Sequence, residues 1–220
     1  METTRFLKQL ARAGDADALF RLGYRAAFGR SRPQDGRRQA VSYWRRAAAQ
    51  GHVRALFYLG SSYDQGWGVG RDVRKAMKLY RQAAEAGHES AQYNLGFAYL
   101  HGDGARRNPS QGVRWYRRAA AAGDADAQRD LGYCLHEGVG VATDLSEAVH
   151  WYRRAAKQGD AKAQFNLGLC YLNGDGVRRS RKSARFWLGK AALLGHARSK
   201  ALMRELATQP IARADGTRRR

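Results

Sequence analysis

The chain repeats itself with a period of 36 residues. The dipeptide Leu-Gly returns five times, at successive spacings of 37, 36, 36 and 36 residues. Its positions are Leu22-Gly23, Leu59-Gly60, Leu95-Gly96, Leu131-Gly132 and Leu167-Gly168. A fixed period of this length indicates stacked units that each bury an apolar face against their neighbours. The sequence therefore predicts five repeats in one elongated stack.

Each repeat contains two apolar stripes with the spacing of an α-helix. In the second repeat the stripes consist of Ala55, Leu59, Ser62 and Tyr63, and then of Ala76, Leu79, Tyr80, Ala83 and Ala84. Recurrence at about every 3.6 residues predicts an amphipathic helix for each stripe. Gly60 lies beside the first stripe, where the missing side chain would allow two helices to cross closely. A repeat is therefore predicted to be a pair of packed helices.

Capping residues mark the ends of these helices. The second helix of a repeat is preceded by good N-caps, namely Asp72, Asn108, Asp144 and Ser180. Asp144 and Glu147 have the spacing of a capping box. The second helix is followed by a glycine suited to a left-handed C-terminal position, namely Gly51, Gly87, Gly123, Gly159 and Gly195. The next position, always His or Asp, is predicted to cap the following helix, which accounts for His52, His88 and His196 without a metal.

The repeat resembles the Sel1-like repeat, a relative of the tetratricopeptide repeat. The residues that carry the resemblance are Ala91, Leu95, Gly96, Tyr99, Gly102 and Gly104, and in the next unit Asp144, Ala148, Trp151, Tyr152, Ala155, Ala156 and Gly159. The resemblance implies an all-α fold, a right-handed superhelical α-solenoid of about five helix-turn-helix repeats. It covers residues 1–207, with a half-repeat at each end, and residues 208–220 are expected to form a basic, disordered tail. It also implies a scaffold for protein partners without chemistry of its own.

No combination of residues indicates catalysis or a cofactor. The recurring polar residues are explained by capping or solvation, and the glycine-rich loops join two helices instead of a strand and a helix, so they are turns and not phosphate loops. Cys134 and Cys170 occupy one column of the repeat, and neighbouring helices lie about 10 Å apart, which is too far for a disulfide. We therefore expect free, packed thiols, no cofactor, no metal and no enzymatic activity.

The net charge of +21 is unusual, because 40 Lys and Arg residues oppose only 19 Asp and Glu. This excess indicates an anionic partner, namely a nucleic acid, an anionic membrane or an acidic protein. Arginine-rich codon usage in a GC-rich genome is an equal explanation. No apolar run is long enough to cross a bilayer, and no secretory signal is visible at the N-terminus, so a cytoplasmic protein is expected.

The first helices are predicted to line the concave surface, as in tetratricopeptide repeats. Two of their columns face away from the buried stripe and are rich in aromatic residues. The predicted partner-binding residues are Phe57, Tyr93, Phe97, Arg129, Tyr133, Phe165 and Leu169. Exposed aromatic side chains in a row are typical of a surface that binds a partner segment. The column of Phe57, Tyr93, Arg129 and Phe165 has a second interpretation, in which it seals each repeat against the next.

Arginine pairs recur on the predicted convex side. They are Arg45-Arg46, Arg117-Arg118 and Arg153-Arg154. They form ladders that either are simply solvated or bind a polyanion. The leading functional hypothesis is therefore a monomeric, non-enzymatic scaffold that binds a protein partner in the concave groove. The net charge suggests that this partner is acidic. The alternative is a binder of nucleic acid or acidic protein that uses the convex arginine ladders.

Overall fold

A computed structural model of the protein describes residues 4–29 and 35–208. Every regular element in these two ranges is an α-helix. The helices are α1 Thr4–Arg12, α2 Ala16–Phe28, α3 Gly36–Ala48, α4 Val53–Gln65, α5 Val73–Glu85, α6 Glu89–His101, α7 Pro109–Ala122, α8 Ala125–Glu137, α9 Leu145–Lys157, α10 Ala161–Asn173, α11 Arg181–Leu193 and α12 Ala197–Thr208. None of them is long and apolar enough to cross a membrane.

The helices stack in chain order, because each packs mainly against the helix before it and the helix after it. We call α2, α4, α6, α8 and α10 the first helices and α3, α5, α7, α9 and α11 the second helices. The flanking α1 and α12 act as half-repeats. The predicted all-α solenoid of five repeats is therefore confirmed. The tail predicted at 208–220 lies outside the described residues, apart from Thr208, which ends α12.

The glycine of each Leu-Gly dipeptide lies against an aromatic or leucine side chain of the second helix. A Cβ atom on Gly60 would lie 2.9 Å from the ring of Tyr80, and one on Gly132 would lie 2.7 Å from the ring of Tyr152. Real Cβ atoms do not approach so closely, so the two helices reach this separation only with glycine. The prediction of a close helix crossing is confirmed.

The predicted caps are present with one exception. The Nδ1 atoms of His52 and His88 accept hydrogen bonds from the backbone amides of Ala55 and Ala91, at 3.2 and 3.4 Å. The side chains that cap the second helices likewise accept a bond from the amide three positions ahead. The prediction of a capping box at Asp144 and Glu147 is wrong. Glu147 turns to Arg117 instead, and the amide of Asp144 donates to the carbonyl of Leu135 at 2.9 Å.

A column of buried glutamines ties consecutive repeats together. Gln92, Gln128 and Gln164 each donate from Nε2 to a carbonyl in the last turn of the preceding second helix, at 3.0, 3.0 and 3.1 Å. Each of these carbonyls also accepts the amide of the glycine that follows its helix, so the glutamine adds a second bond, which joins two repeats. This column is not among the predicted features, although a glutamine directly after an alanine recurs with the period in the sequence.

Candidate functional site

The first helices present two outward columns, which differ in how much of each side chain is available. Column one consists of Phe20, Phe57, Tyr93, Arg129 and Phe165. Column two consists of Tyr24, Ser61, Phe97, Tyr133 and Leu169. The face that carries both columns is called the first-helix face, and the resemblance noted above assigns it to the concave side of the solenoid.

Column one seals the repeats against each other. The ring of Phe57 stacks on the imidazole of His88, with 4.3 Å between the centroids, and the ring of Phe165 lies 4.6 Å from that of His196. Each histidine begins the next repeat and caps its first helix. The two phenylalanines are therefore half-buried in the stack, and most of their contact area serves the stack itself.

Tyr93 performs the same role with a different partner. Its ring stacks on Tyr116 at 5.5 Å, and its hydroxyl donates to Oδ2 of Asp130 in the next first helix at 3.0 Å. Burial raises the pKa of Tyr93, with a contribution from the negative charge of Asp130. Tyr93 therefore remains protonated and is committed to a bond across the repeat junction.

Arg129 is held by three carboxylates. Its guanidinium donates to Asp126, Asp130 and Asp160 at 2.5, 2.7 and 2.9 Å. Burial disfavours the charged guanidinium, but the hydrogen bonds and charges of these acids outweigh it, so the pKa of Arg129 is raised. Asp160 also caps α10. This arginine therefore closes the junction between the fourth and fifth repeats with ion pairs. At two other junctions, Phe57 and Phe165 contact a histidine ring instead.

Column two is open to solvent at its aromatic positions. Phe97 and Tyr133, which occupy equivalent positions in neighbouring repeats, expose 43% and 51% of their surface. Leu169 continues the column and is half-buried. Large apolar side chains exposed in a row are the part of the predicted site that a partner could still contact.

Aromatic rings also collect at the N-terminal end of this face. Phe28, which is exposed, stacks on Trp67 with 5.5 Å between the centroids, and Tyr24 lies 4.9 Å from Phe28 and 5.8 Å from Tyr58. Phe28 and Trp67 are not among the residues predicted from the sequence. They occupy different columns, so only the packing of adjacent repeats brings them together.

A pocket of about 310 Å³ lies beside Phe97, between α4 and α6. Its polar lining includes Ser61, Asp64 and Asn94, and the ring of Tyr80 lines the same pocket. Burial, with a contribution from the charge of Asp64, raises the pKa of Tyr80 to about 12. The pocket is large enough for a side chain and offers several hydrogen-bonding groups.

The first arginine of each predicted convex pair is bound to the next repeat. Arg45 and Arg153 donate to the hydroxyls of Tyr63 and Tyr171, both at 3.2 Å. Each of those tyrosines lies 18 residues ahead in the chain. These arginines therefore link a second helix to the first helix that follows it.

Arg117 also binds the next repeat, but its partner is not a tyrosine. The residue 18 positions ahead is Leu135, which has no hydroxyl. Arg117 instead forms an ion pair with Glu147, with Nη2 3.0 Å from Oε2. The hydrogen bonds from Arg117 lower the pKa of Glu147.

The second arginine of each pair lies closer to solvent. Arg118 and Arg154 lie over the rings of Trp115 and Trp151, at 4.7 and 5.1 Å from the ring centroids. Arg46 donates to the carbonyl of Ala11 at 3.0 Å. All three are exposed, so their guanidinium groups keep donors that face water.

The two faces of the solenoid carry different charge. The five second helices contain 18 Lys and Arg residues and two acids. The five first helices contain five Lys and Arg residues and six acids. The basic excess of the chain therefore lies on the second helices and not on the aromatic face.

Neither cysteine is placed for chemistry. Cys134 and Cys170 are free and buried, and burial raises the pKa of their thiols to about 12 and about 11. Such thiols are protonated at neutral pH and are weak nucleophiles. Across 4–29 and 35–208, no group of three or more His, Cys, Asp or Glu side chains is placed to hold a metal ion.

A family profile described as "Sel1 repeat" matches residues 16–52, 53–88, 89–124, 125–160 and 161–196. Among solved structures the chain is similar to c5321, a protective antigen present in uropathogenic Escherichia coli strains, with a TM-score of 0.89 and 35% identity over 94% of this chain and 44% of that chain. It is also similar to a Sel1 repeat protein from Oxalobacter formigenes, with a TM-score of 0.83 and 33% identity over 92% of this chain and 58% of that chain.

The chain spans less than two thirds of the length of either of these two proteins. No curated protein sequence matches it. Sel1-repeat proteins generally act as scaffolds for protein–protein interactions and are generally non-enzymatic. Five profile matches, from residue 16 to residue 196, together with 35% identity to a solved Sel1-type solenoid, show that this chain belongs to the Sel1 repeat family.

Proposed function

We propose that this protein is a scaffold that binds a segment of a protein partner on its first-helix face, through the exposed residues of column two. The observation that carries the proposal is the exposure of Phe97 and Tyr133 in adjacent repeats. An aromatic side chain left in water is unfavourable, and covering it with a partner is a large source of binding free energy. Leu169 extends the same column to the fifth repeat.

The contacts of column one narrow the predicted binding surface. Phe57, Tyr93, Arg129 and Phe165 are engaged with the next repeat. Their role in the proposal is to fix the spacing of the first helices, so that the column-two side chains are held in position before the partner arrives. A rigid surface loses less conformational entropy on binding than a flexible one.

The pocket beside Phe97 gives the proposed surface a polar anchor. A segment that covers Phe97 would place a neighbouring side chain over Ser61 and Asn94. The first helices carry slightly more acids than bases, so the proposed segment is apolar with neutral or basic flanks. An acidic segment would meet a better charge match on the second helices.

The test uses site-specific photocrosslinking. A photoreactive phenylalanine analogue is placed at Tyr133, and in a matched variant at Phe186, which is similarly exposed on a second helix. Mass spectrometry identifies any protein crosslinked from position 133 alone. Its affinity is then measured for the wild type, for Phe97→Ala/Tyr133→Ala and for Phe186→Ala. We expect a loss of at least about tenfold for the double variant alone, and equal affinities would refute the proposal.

A second candidate function is polyanion binding by the second helices. It is favoured by their 18 basic residues against two acids. Arg118 and Arg154 are the proposed contacts, because Arg117 and Arg153 are engaged in bonds within the stack. Affinity for single-stranded RNA should fall steeply with salt and should be reduced by Arg118→Ser/Arg154→Ser. Absence of binding at low salt would exclude this function.

A further inference from the structure

Helix α11 departs from the pattern of the other second helices. Within residues 4–29 and 35–208, it is the only second helix that carries large apolar side chains exposed to solvent. Phe186 exposes 54% of its surface, and Leu193 and Leu194, at the corner before α12, expose 89% and 58%. Such exposure is unfavourable in water unless another surface covers these side chains.

The corresponding positions of the other repeats are polar or small. The position of Phe186 is held by Ser42, Lys78, Arg114 and His150, and that of Leu193 by Ala49, Glu85, Ala121 and Lys157. The position of Leu194 is held by Gln50, Ala86, Ala122 and Gln158. The repeat pattern therefore does not require apolar residues at these positions.

The apolar residues form one patch at the surface of α11. Phe186 and Leu193 are seven residues apart, so they project from the same side of the helix, about 10 Å apart along its axis. Lys190 lies between them, with its ammonium group 5.0 Å from the centroid of the Phe186 ring. Lys182 precedes Phe186 by one turn. We call Lys182, Phe186, Lys190, Leu193 and Leu194 the α11 patch.

The α11 patch lies in a long stretch of sequence without acids. Residues 176–204 contain nine Lys and Arg residues and no Asp or Glu. This charge disfavours two occupants. A second copy of the chain would bring two such basic surfaces together, and residues 209–220 carry four arginines against one acid, so both would be repelled.

We propose that the α11 patch binds the surface of an anionic lipid membrane. Exposed Phe and Leu side chains enter the boundary between headgroups and acyl chains, while surrounding Lys and Arg residues contact negative headgroups. The side chains protrude from a helix and a corner, and a deformable lipid surface accepts them without a preformed pocket. The solenoid is then held at the membrane by its fifth repeat.

The test is cosedimentation with lipid vesicles. Wild-type protein is mixed with phosphatidylcholine vesicles, or with vesicles in which about a third of the lipid is phosphatidylserine. We expect binding to the anionic vesicles alone, weakened by salt. Leu193→Gln/Leu194→Gln should lower the partition coefficient at least about tenfold. Phe97→Ser, which removes an exposed ring from the first-helix face, should leave it unchanged.

Two further measurements distinguish this site from the polyanion candidate and from self-association. The leucine double variant should retain the wild-type affinity for single-stranded RNA and the wild-type melting temperature. Absence of binding to anionic vesicles, or equal partitioning of the double variant and the wild type, would overturn the proposal. A wild-type dimer that the double variant loses in sedimentation velocity would overturn it in favour of a second copy.

Discussion

Arg81 donates a hydrogen bond of 2.6 Å from Nη2 to the hydroxyl of Tyr99, 18 residues ahead in the next repeat. The same link joins Arg45 to Tyr63 and Arg153 to Tyr171. A second helix is thereby tied to the following first helix by a charged donor at the edge of the core. The recurring arginine is therefore a structural part of the repeat junction.

Removal of one tyrosine hydroxyl should weaken the stack. Tyr99→Phe leaves the ring in place and removes the acceptor of Arg81, and we expect the free energy of unfolding to fall by about 1 kcal/mol, because the exposed guanidinium regains water. The measurement is urea unfolding followed by circular dichroism. Tyr133→Phe, which changes an exposed tyrosine, should alter stability by less than about 0.5 kcal/mol. Equal effects of the two variants would contradict the role of Arg81.

Two glycine-to-alanine changes should have opposite signs. In Gly132→Ala the new Cβ would lie 2.7 Å from the ring of Tyr152, and we expect a loss of about 2 kcal/mol from overpacking. In Gly189→Ala the nearest atom is the Cε of Met203 at 3.9 Å. That variant should gain about 0.5–1 kcal/mol, because alanine favours a helix interior. Thermal and urea unfolding measure both, and a destabilised Gly189→Ala would show that α11 needs its glycine.

The histidine caps should make stability depend on pH. Burial and the charge of Arg54 lower the pKa of His88 below its ordinary value of 6.5, and its Nδ1 must be unprotonated to accept the amide of Ala91. Protonation therefore favours the unfolded chain, and stability falls as the pH drops below about 6.5. His88→Asn keeps a cap that does not titrate.

This pH effect is measured by urea unfolding at pH 7 and pH 5. The difference between the two values should be smaller for His88→Asn than for the wild type by about 1 kcal/mol. His150→Asn is the control, since His150 is exposed on α9 and caps no helix. A wild-type pH dependence in His88→Asn would rule out His88 as a source.

Loss of Arg129 should be costly at neutral pH. Arg129→Leu would leave Asp130 and Asp160 close together without a counterion, and we expect a loss of about 3 kcal/mol. Asp130→Asn added to Arg129→Leu should recover part of this loss, because it removes one of the two uncompensated charges. The control is Lys162→Leu, which removes an exposed cation from α10. Urea unfolding of the single and double variants tests this, and no recovery in the double variant would indicate a packing role.

Several features of the site were readable from the sequence. The two outward columns, the arginine pairs and the capping role of His88 were all predicted from the period. The separation of charge was equally readable, because assigning helices from the repeat places most Lys and Arg residues on second helices. The unusual apolar positions of α11 are also visible when the repeats are aligned, because Phe186 occupies the position that Arg114 holds in the third repeat.

The architecture follows from the sequence, because the period, the caps and the apolar spacing are local properties that recur in every repeat. Which outward residues remain available to a partner depends on the packing of neighbouring repeats. Phe57 and Phe97 are both aromatic residues of a first helix, yet the first packs on His88 and the second faces solvent. The difference arises because contacts across a repeat junction depend on how neighbouring helices are spaced and rotated, which the period of a sequence does not specify.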